Sequence, residues 1–335
     1  MITFDRIDIE QKMYMGSDDI GEMNVFQTSE WIKYIAEIRN AEPIIAVIKS
    51  EDRFLGYFTG LITRKFGMKI LGSPFRGWAT YFMGFNLLPS SPKHEILQAL
   101  PKFAFKTLAC QYLEVIDPNI NQGDWDGSSY QTEHLHYYGI DLTLSEETLF
   151  ARMDNTGRNC IRKAIKNGVV IEEAQDTNFA DEYYAQYTDV LAKHSLLPPY
   201  TLDSVRKLIE RLLPTGCLLL LRARNPEGVC IATGIFLALN KTGIFWGAAS
   251  WRQYQQLRPN ESIAWYGMKK LKAQGIQMLH FGGKCEHYKE KLGCNELQLF
   301  RLMKTRNKLL GTIIYPLMSP KSAEYRNWVL RRLSR

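Results

Sequence analysis

Two groups of cations have the residue types and spacing to do chemistry. Arg158, Arg162 and Lys166 fall at i, i+4 and i+8, on one side of a helix, while Ile161 and Ile165 take another side. An arginine fork at Arg158 suits a phosphate; Arg162, Lys163 and Lys166 read equally well as a charged exterior face. The second group, Lys284, Lys289 and Lys291, follows the pair Gly282-Gly283, where a backbone without side chains lets a ligand approach. Cations placed there could meet a phosphate or a developing oxyanion, against the plainer reading of solvated lysines on a short helix. His134, His136, His194, His280 and His287 form no Ser/His/Asp or metal spacing, and His287 is the least implausible catalyst among them. Glu261 and Asp141 could serve as bases, although helix capping and strand-end turn chemistry account for them.

The elements that must position these residues follow from pattern. Asn260 is a candidate N-cap after Pro259, Ile263, Tyr266, Met268 and Leu271 share a broad helix face, and Gly275 supplies the stop, so a helix is expected over 261–274. The apolar run Ile276–Phe281 then reads as a buried strand opening into a pocket at the Gly pair. Upstream, a strand near 139–143 leads to a helix opened by Ser145 and a second over 158–167, stopped by Gly168. A strand at 169–172, helices over 178–194 and 201–213, and strands near 217–223, 229–239 and 243–249 follow, with a last strand at 297–303. Residues 1–116 give a shorter version of the same order: strand 2–8, helix 29–39, strands 43–49, 53–63 and 68–72, helix 92–108 and strand 111–116.

Composition bounds the class. The chain has 335 residues, 45% apolar and 23% charged, an ordinary globular balance long enough for two cores. Its N-terminus lacks the layout of a signal peptide and no apolar run is long enough for a membrane span, so a cytoplasmic location is expected. The six cysteines contain no CxxC pair, which implies ordinary thiols in a reducing compartment and no metal centre. The net charge of +7 is partly local, because residues 319–335 carry Lys321, Arg326, Arg331, Arg332 and Arg335 against Glu324. That tail reads as a solvated helix face or as a contact with a membrane surface or RNA.

Strand, two helices, three antiparallel strands, helix, strand, strand is the element order of the GNAT acyltransferase fold. The chain further resembles the FemABX branch of that superfamily along most of its length. The resemblance is carried by Val25-Phe26-Gln27-Thr28-Ser29-Glu30-Trp31, by Asp141-Leu142 with Thr156-Gly157-Arg158 and Ile161-Arg162-Lys163-Ala164, and by Pro259, Trp265, Gly275, Phe281-Gly282-Gly283 and Tyr288-Lys289 through Gly293. It implies an α/β fold of mixed sheets in two tandem GNAT-like domains, residues 1–138 (completed by 309–335) and 139–308, divided in the polar loop 117–138. Each domain is expected to have its own sheet. It also implies that Lys289 acts electrostatically at the reacting centre, that Thr156 and Arg158 contact a diphosphate, and that Tyr254 lines the acceptor cleft. Arg162, Gly282, Gly283 and Tyr288 are further candidate substrate-binding residues, and Trp31 could line the cleft between domains, although a Trp at a helix start is usually core.

Two departures bear on substrate. The helical-hairpin arm of the bridge-building members is missing between Pro198 and Thr242, and the stretch Gln255–Asn260, where acetyl-CoA enzymes hold pyrophosphate, contains no glycine. The expectation is an N-acyltransferase with no tightly bound cofactor. It would use acyl-CoA or aminoacyl-tRNA as co-substrate and an amine on a phosphorylated sugar or lipid-linked precursor as acceptor, in the cytoplasm or at the inner membrane face. The alternative is a catalytically silent domain that binds a nucleotide-sugar or a partner protein.

Overall fold

A computed structural model describes residues 1–10, 22–65, 67–193, 196–283 and 285–318; Lys284, His194 and the basic tail 319–335 lie outside them. The strands are β1 (Ile2–Ile7), β2 (Glu42–Ser50), β3 (Arg53–Lys65), β4 (Met68–Ser73), β5 (Phe85–Leu87), β6 (Tyr112–Ile116), β7 (Gln131–Asp141), β8 (Val170–Ala174), β9 (Leu218–Arg224), β10 (Cys230–Leu239), β11 (Thr242–Ser250), β12 (Met278–Gly282) and β13 (Asn295–Thr305). The helices are α1 (Ser29–Arg39), α2 (Lys93–Lys102), α3 (Gln122–Trp125), α4 (Glu146–Arg152), α5 (Asn155–Lys166), α6 (Phe179–Lys193), α7 (Leu202–Leu212), α8 (Pro259–Ala273), α9 (Glu286–Lys291) and α10 (Lys308–Met318).

The strands form one continuous sheet in the order β1-β2-β3-β4-β6-β13-β7-β12-β11-β10-β9-β8, with β5 added to β3. Read from the β13–β7 pair outward, each half repeats the other. Each contains one parallel pair, β4 with β6 and β11 with β12. The tandem architecture is therefore present, but the expectation of two separate sheets is wrong. Residues 131–138, expected as loop, are strand: β7 pairs with β13 from Gly139↔Asn295 to Gln131↔Met303, and β13 continues onto β6 through Arg301–Thr305. The polar alternation Gln131-Thr-Glu-His-Leu-His hid this strand, because the face carrying Thr132, His134 and His136 is exposed.

On one face of the sheet a single core runs across both halves. It joins Trp31, Tyr34 and Ile35 of α1 to Tyr183 of α6 and to Val205 and Leu208 of α7. Glu37 of α1 pairs with both Lys207 and Arg211 of α7 across the join. On the other face the cores are separate. One collects Leu97 and Leu100 of α2 with Trp125 of α3; the other collects Leu149, Ile161, Ile263 and Met268 of α4, α5 and α8. Between them the sheet is bare, floored by the exposed His134, His136, Glu296 and Gln298. We term this uncovered strip between the two cores the inter-unit cleft. From α10, Ile314 is buried in the shared core and the Tyr315 ring lies 6.4 Å from that of Tyr112 on β6.

Candidate functional site

β11 runs on to Ser250 and β12 to Gly282, yet they pair only at Thr242↔Met278, Gly243↔Leu279 and Ile244↔His280. Beyond Ile244 they splay into a wedge. Its floor is a cleft of about 180 Å³ lined by Tyr81, Phe245–Ala248, Phe281, Cys285, Tyr288 and Lys289. A bulge in the β10–β11 ladder lies between Ile235 and Phe236, which face Gly247 and Phe245, so Trp246 is the extra residue. Such a bulge re-aims its side chain. Here the Trp246 indole donates to the Ala79 carbonyl at 2.8 Å, and the Tyr81 hydroxyl donates to the Trp246 carbonyl at 3.2 Å, so the first unit supplies one wall.

Lys289 closes the wedge from α9. Expected to be exposed, it is 3% exposed, because α9 turns back under β12 and carries the side chain inward. Its ammonium donates to the Gly282 carbonyl and lies 5.2 Å from the centroid of the Tyr138 ring. Burial pushes its pKa down to about 8, by penalising the charged form. Gly282 has φ +73°, and a side chain there would press on the Tyr81 ring; at Gly283 a Cβ would stand 2.4 Å from the His136 carbonyl. The Gly pair thus lets β12 turn tightly against β7 and expose the Gly282 carbonyl to Lys289. The helix is fixed to α8 by the Tyr288 hydroxyl, which donates to the Asn260 carbonyl at 3.1 Å, and by the Lys291–Glu261 ion pair. Glu261 is therefore buried and paired.

Helix α5 abuts α9 end-on: the Asp154 amide donates to the Lys291 carbonyl at 3.2 Å, and a Cβ at Gly157 would meet that carbonyl at 2.5 Å. This contact explains the glycine of Thr156-Gly157-Arg158. The Arg158 guanidinium folds back onto its own helix start, donating to the carbonyls of Ala151 and Met153 and to Asn155 Oδ1, while Thr156 is exposed beside it. Arg158 and Lys289 thus sit on adjoining helices without sharing a partner. Arg162 is exposed, its guanidinium 5.4 Å from the Phe150 ring, and Tyr254 packs half-buried against the α4/α5/α8 core. Asp141 accepts from the amide and hydroxyl of Thr143, a strand-end turn.

Trp31 requires correction, since it is 0% exposed and lines no cleft. Its indole donates to Thr80 Oγ1 at 3.1 Å, and Gln27 Nε2 donates to the carbonyls of Met83 and Phe85. The motif Phe26-Gln27-Thr28-Ser29-Glu30-Trp31 therefore pins the segment that delivers Tyr81 to the wedge. Helix α8 also differs from expectation. It begins with Pro259 at its first position after Arg258 at φ +61°, and Asn260 is no cap: its amide donates to Ser250 Oγ. A proline without an N–H and the buried Glu261 carboxylate occupy the terminus where a conventional enzyme of this fold would take pyrophosphate.

Tyr81, Phe245, Trp246 and Cys285 went unnoticed in the sequence. A signal existed in Gly247-Ala248-Ala249, small residues inside a strand that permit close approach of another chain. A larger cavity of about 470 Å³ lies at the opposite end of β12, lined by Asn86, Asp117, Thr242 and His280. Asp117 there accepts from the amides of Phe85 and Asn119, and burial holds His280 neutral with a pKa of about 4. Neither presents the convergence of cation and open backbone found in the wedge.

Residues 151–290 match the family model of the acetyltransferase (GNAT) domain. No curated protein matches the chain in sequence. Among solved structures, the crystal structure of FemX is similar with a TM-score of 0.73 at 10% identity, over 94% of this chain and 99% of that one. L-PGS from Bacillus licheniformis is similar with a TM-score of 0.56 at 11% identity, over 92% and 96%. A tandem GNAT protein from the clavulanic acid biosynthesis pathway gives 0.52 at 8% identity, over 92% and 99%. At these identities the likeness is one of fold.

Proposed function

We propose that this chain is an acyltransferase of the FemABX-like GNAT branch, a reading supported by the GNAT match over residues 151–290 and by the FemX-like fold, and that it moves an acyl or aminoacyl group onto an amine of a phosphorylated sugar or lipid-linked envelope precursor. The observation that carries the reading is the wedge: backbone of Phe245–Ala248 that β12 leaves unpaired, with the Lys289 ammonium on the Gly282 carbonyl at the end of β12. Unpaired strand amides and carbonyls can bind an extended donor arm as a strand would. The donor's carbonyl would then lie toward Lys289, whose charge stabilises the oxyanion formed when the acceptor amine attacks. Transfer needs that amine neutral, so the acceptor loses a proton before or during attack.

On this reading the acceptor approaches Lys289 past Thr156 and Arg158, whose helix start abuts α9. Arg158 would have to release the carbonyls of its own helix to reach a diphosphate, and its fork geometry suits that exchange. The N-terminus of α8, filled by Pro259 and Glu261, disfavours a pyrophosphate in the usual place. A donor that grips elsewhere, such as an aminoacyl-tRNA, is compatible with that terminus. Purified protein, an amine-bearing nucleotide-sugar and either acyl-CoA or aminoacyl-tRNA test the proposal by mass spectrometry of the product. RNase abolishes transfer if the donor is a charged tRNA and leaves it intact if it is acyl-CoA. Binding of the acceptor with no product from either donor would instead favour the silent binding module.

A further inference from the structure

We infer that His134, His136 and Glu296 form a binding site for a divalent transition cation of the zinc type on the floor of the inter-unit cleft. Strand alternation puts His134 and His136 on one face of β7, and the register, His136↔Gln298 and Tyr138↔Glu296, makes Glu296 the diagonal neighbour of His136 on the same face. The candidate ligand atoms of the three residues all lie within 4.8 Å of one another. His136 Nδ1 and Glu296 Oε1 are 2.8 Å apart, and the two imidazole rings lie 5.5 Å apart at 80°. In a tetrahedral zinc site with bonds near 2.0–2.1 Å, ligand atoms stand roughly 3.4 Å from each other. The set is therefore within side-chain rotation of that geometry, on strands whose ladder continues to both sides.

A surface ion pair accounts for His136 with Glu296; the His134 ring packs on Phe300 with centroids 5.2 Å apart and still brings a ring nitrogen within 4.8 Å of the other two candidate ligand atoms. Two imidazoles and a carboxylate select zinc, copper or nickel over magnesium or calcium, which prefer all-oxygen sites. All three side chains are exposed, which gives the ion an entry path and leaves a coordination position facing the cleft. That position lies one strand repeat along β7 from Tyr138, the ring beside the Lys289 ammonium. An anionic oxygen of a cleft-bound molecule, or water, would complete the shell. The inference concerns binding alone and stands whether or not the proposed transfer reaction is correct.

Calorimetric titration of the full chain with zinc chloride tests it. One equivalent should bind, and His134→Ala, His136→Ala and Glu296→Gln should each weaken binding by roughly tenfold or more, the least expected for loss of a directly bound ligand. Cys285→Ser, which removes the one exposed thiol among the described residues, should leave zinc binding unchanged. Circular dichroism should be unaltered in every variant, because the substituted side chains are exposed. Absence of saturable binding, binding that survives the three ligand substitutions, or binding lost in Cys285→Ser would each overturn the site.

Discussion

The protonation state of Lys289 offers the sharpest test of the wedge as an active site. With a pKa of about 8, the side chain is about nine-tenths charged at pH 7 and about one-tenth charged at pH 9. If the charged form stabilises the oxyanion, turnover at saturating donor and acceptor falls about tenfold between those pH values from this group alone. Lys289→Arg, which stays charged throughout, should lose that alkaline limb while retaining activity below it; Lys289→Met should lose about two to three powers of ten in kcat across the range. Folding carries the opposite sign. The folded pKa lies below the unfolded value of 10.5, so the buried charge costs stability below about pH 8, and this penalty is relieved as pH rises toward 10.5. Lys289→Met should therefore gain stability, relative to the parent, most clearly at neutral pH. The assay is steady-state kinetics from pH 6.5 to 9.5, with urea denaturation at the same pH values. An alkaline limb that persists in Lys289→Arg, or a Lys289→Met variant that keeps the parent's turnover, would refute the electrostatic role.

Three further outcomes are expected. Trp31→Ala should destabilise the fold by about 3–5 kcal/mol in urea titration, the cost of a large cavity at a fully buried site, and should lower activity indirectly by releasing Thr80 and Tyr81. Tyr81→Phe removes one hydrogen bond between the units, to Trp246, and should cost about 1 kcal/mol while raising the KM for the donor more than it lowers kcat, as measured by initial rates. Gly283→Ala puts a Cβ against the His136 carbonyl at 2.4 Å, which forces β12 away from β7; thermal denaturation should fall by several degrees and transfer should be nearly abolished.

What the sequence made legible, and what it concealed, divides along a physical line. Ser145 and Thr201 cap their helices by accepting hydrogen bonds from the amides three positions on, and local spacing alone reveals such caps. The Gly282-Gly283 pair was legible for the same reason, whereas Lys289 stood out from Lys284 and Lys291 only through the family resemblance of that stretch. The wedge was not, because it depends on where β11 and β12 stop pairing, a decision taken by the bulge at Trp246 and by Tyr81 more than 160 positions earlier in the chain. Trp31 misled because an aromatic at a helix start looks the same whether it faces ligand or core. The strand at 131–138 was missed because its exposed face carries histidines and polar residues instead of the apolar alternation that marks a half-buried strand. With it went the pairing of His134 and His136, which is invisible in a loop and immediate on a strand.

The shared spine of the sheet also dictates how the chain can be made. β6 presents five buried residues, Tyr112–Ile116, yet one of its edges is hydrogen-bonded only by Arg301–Thr305 of β13. During synthesis that edge stays unpaired until almost the whole described chain has emerged, long after the strands around it have formed. At the roughly 5–20 residues per second of translation, the wait is about ten seconds or more. An unpaired, apolar strand edge is a template for pairing with another chain. The nascent protein should thus be most prone to aggregate, and most dependent on chaperones, in that interval, and fragments ending before β13 should be recovered as aggregates even though they contain the complete sequence of the first unit's own strands. Supplying β13 as a separate peptide would then be a way to rescue them.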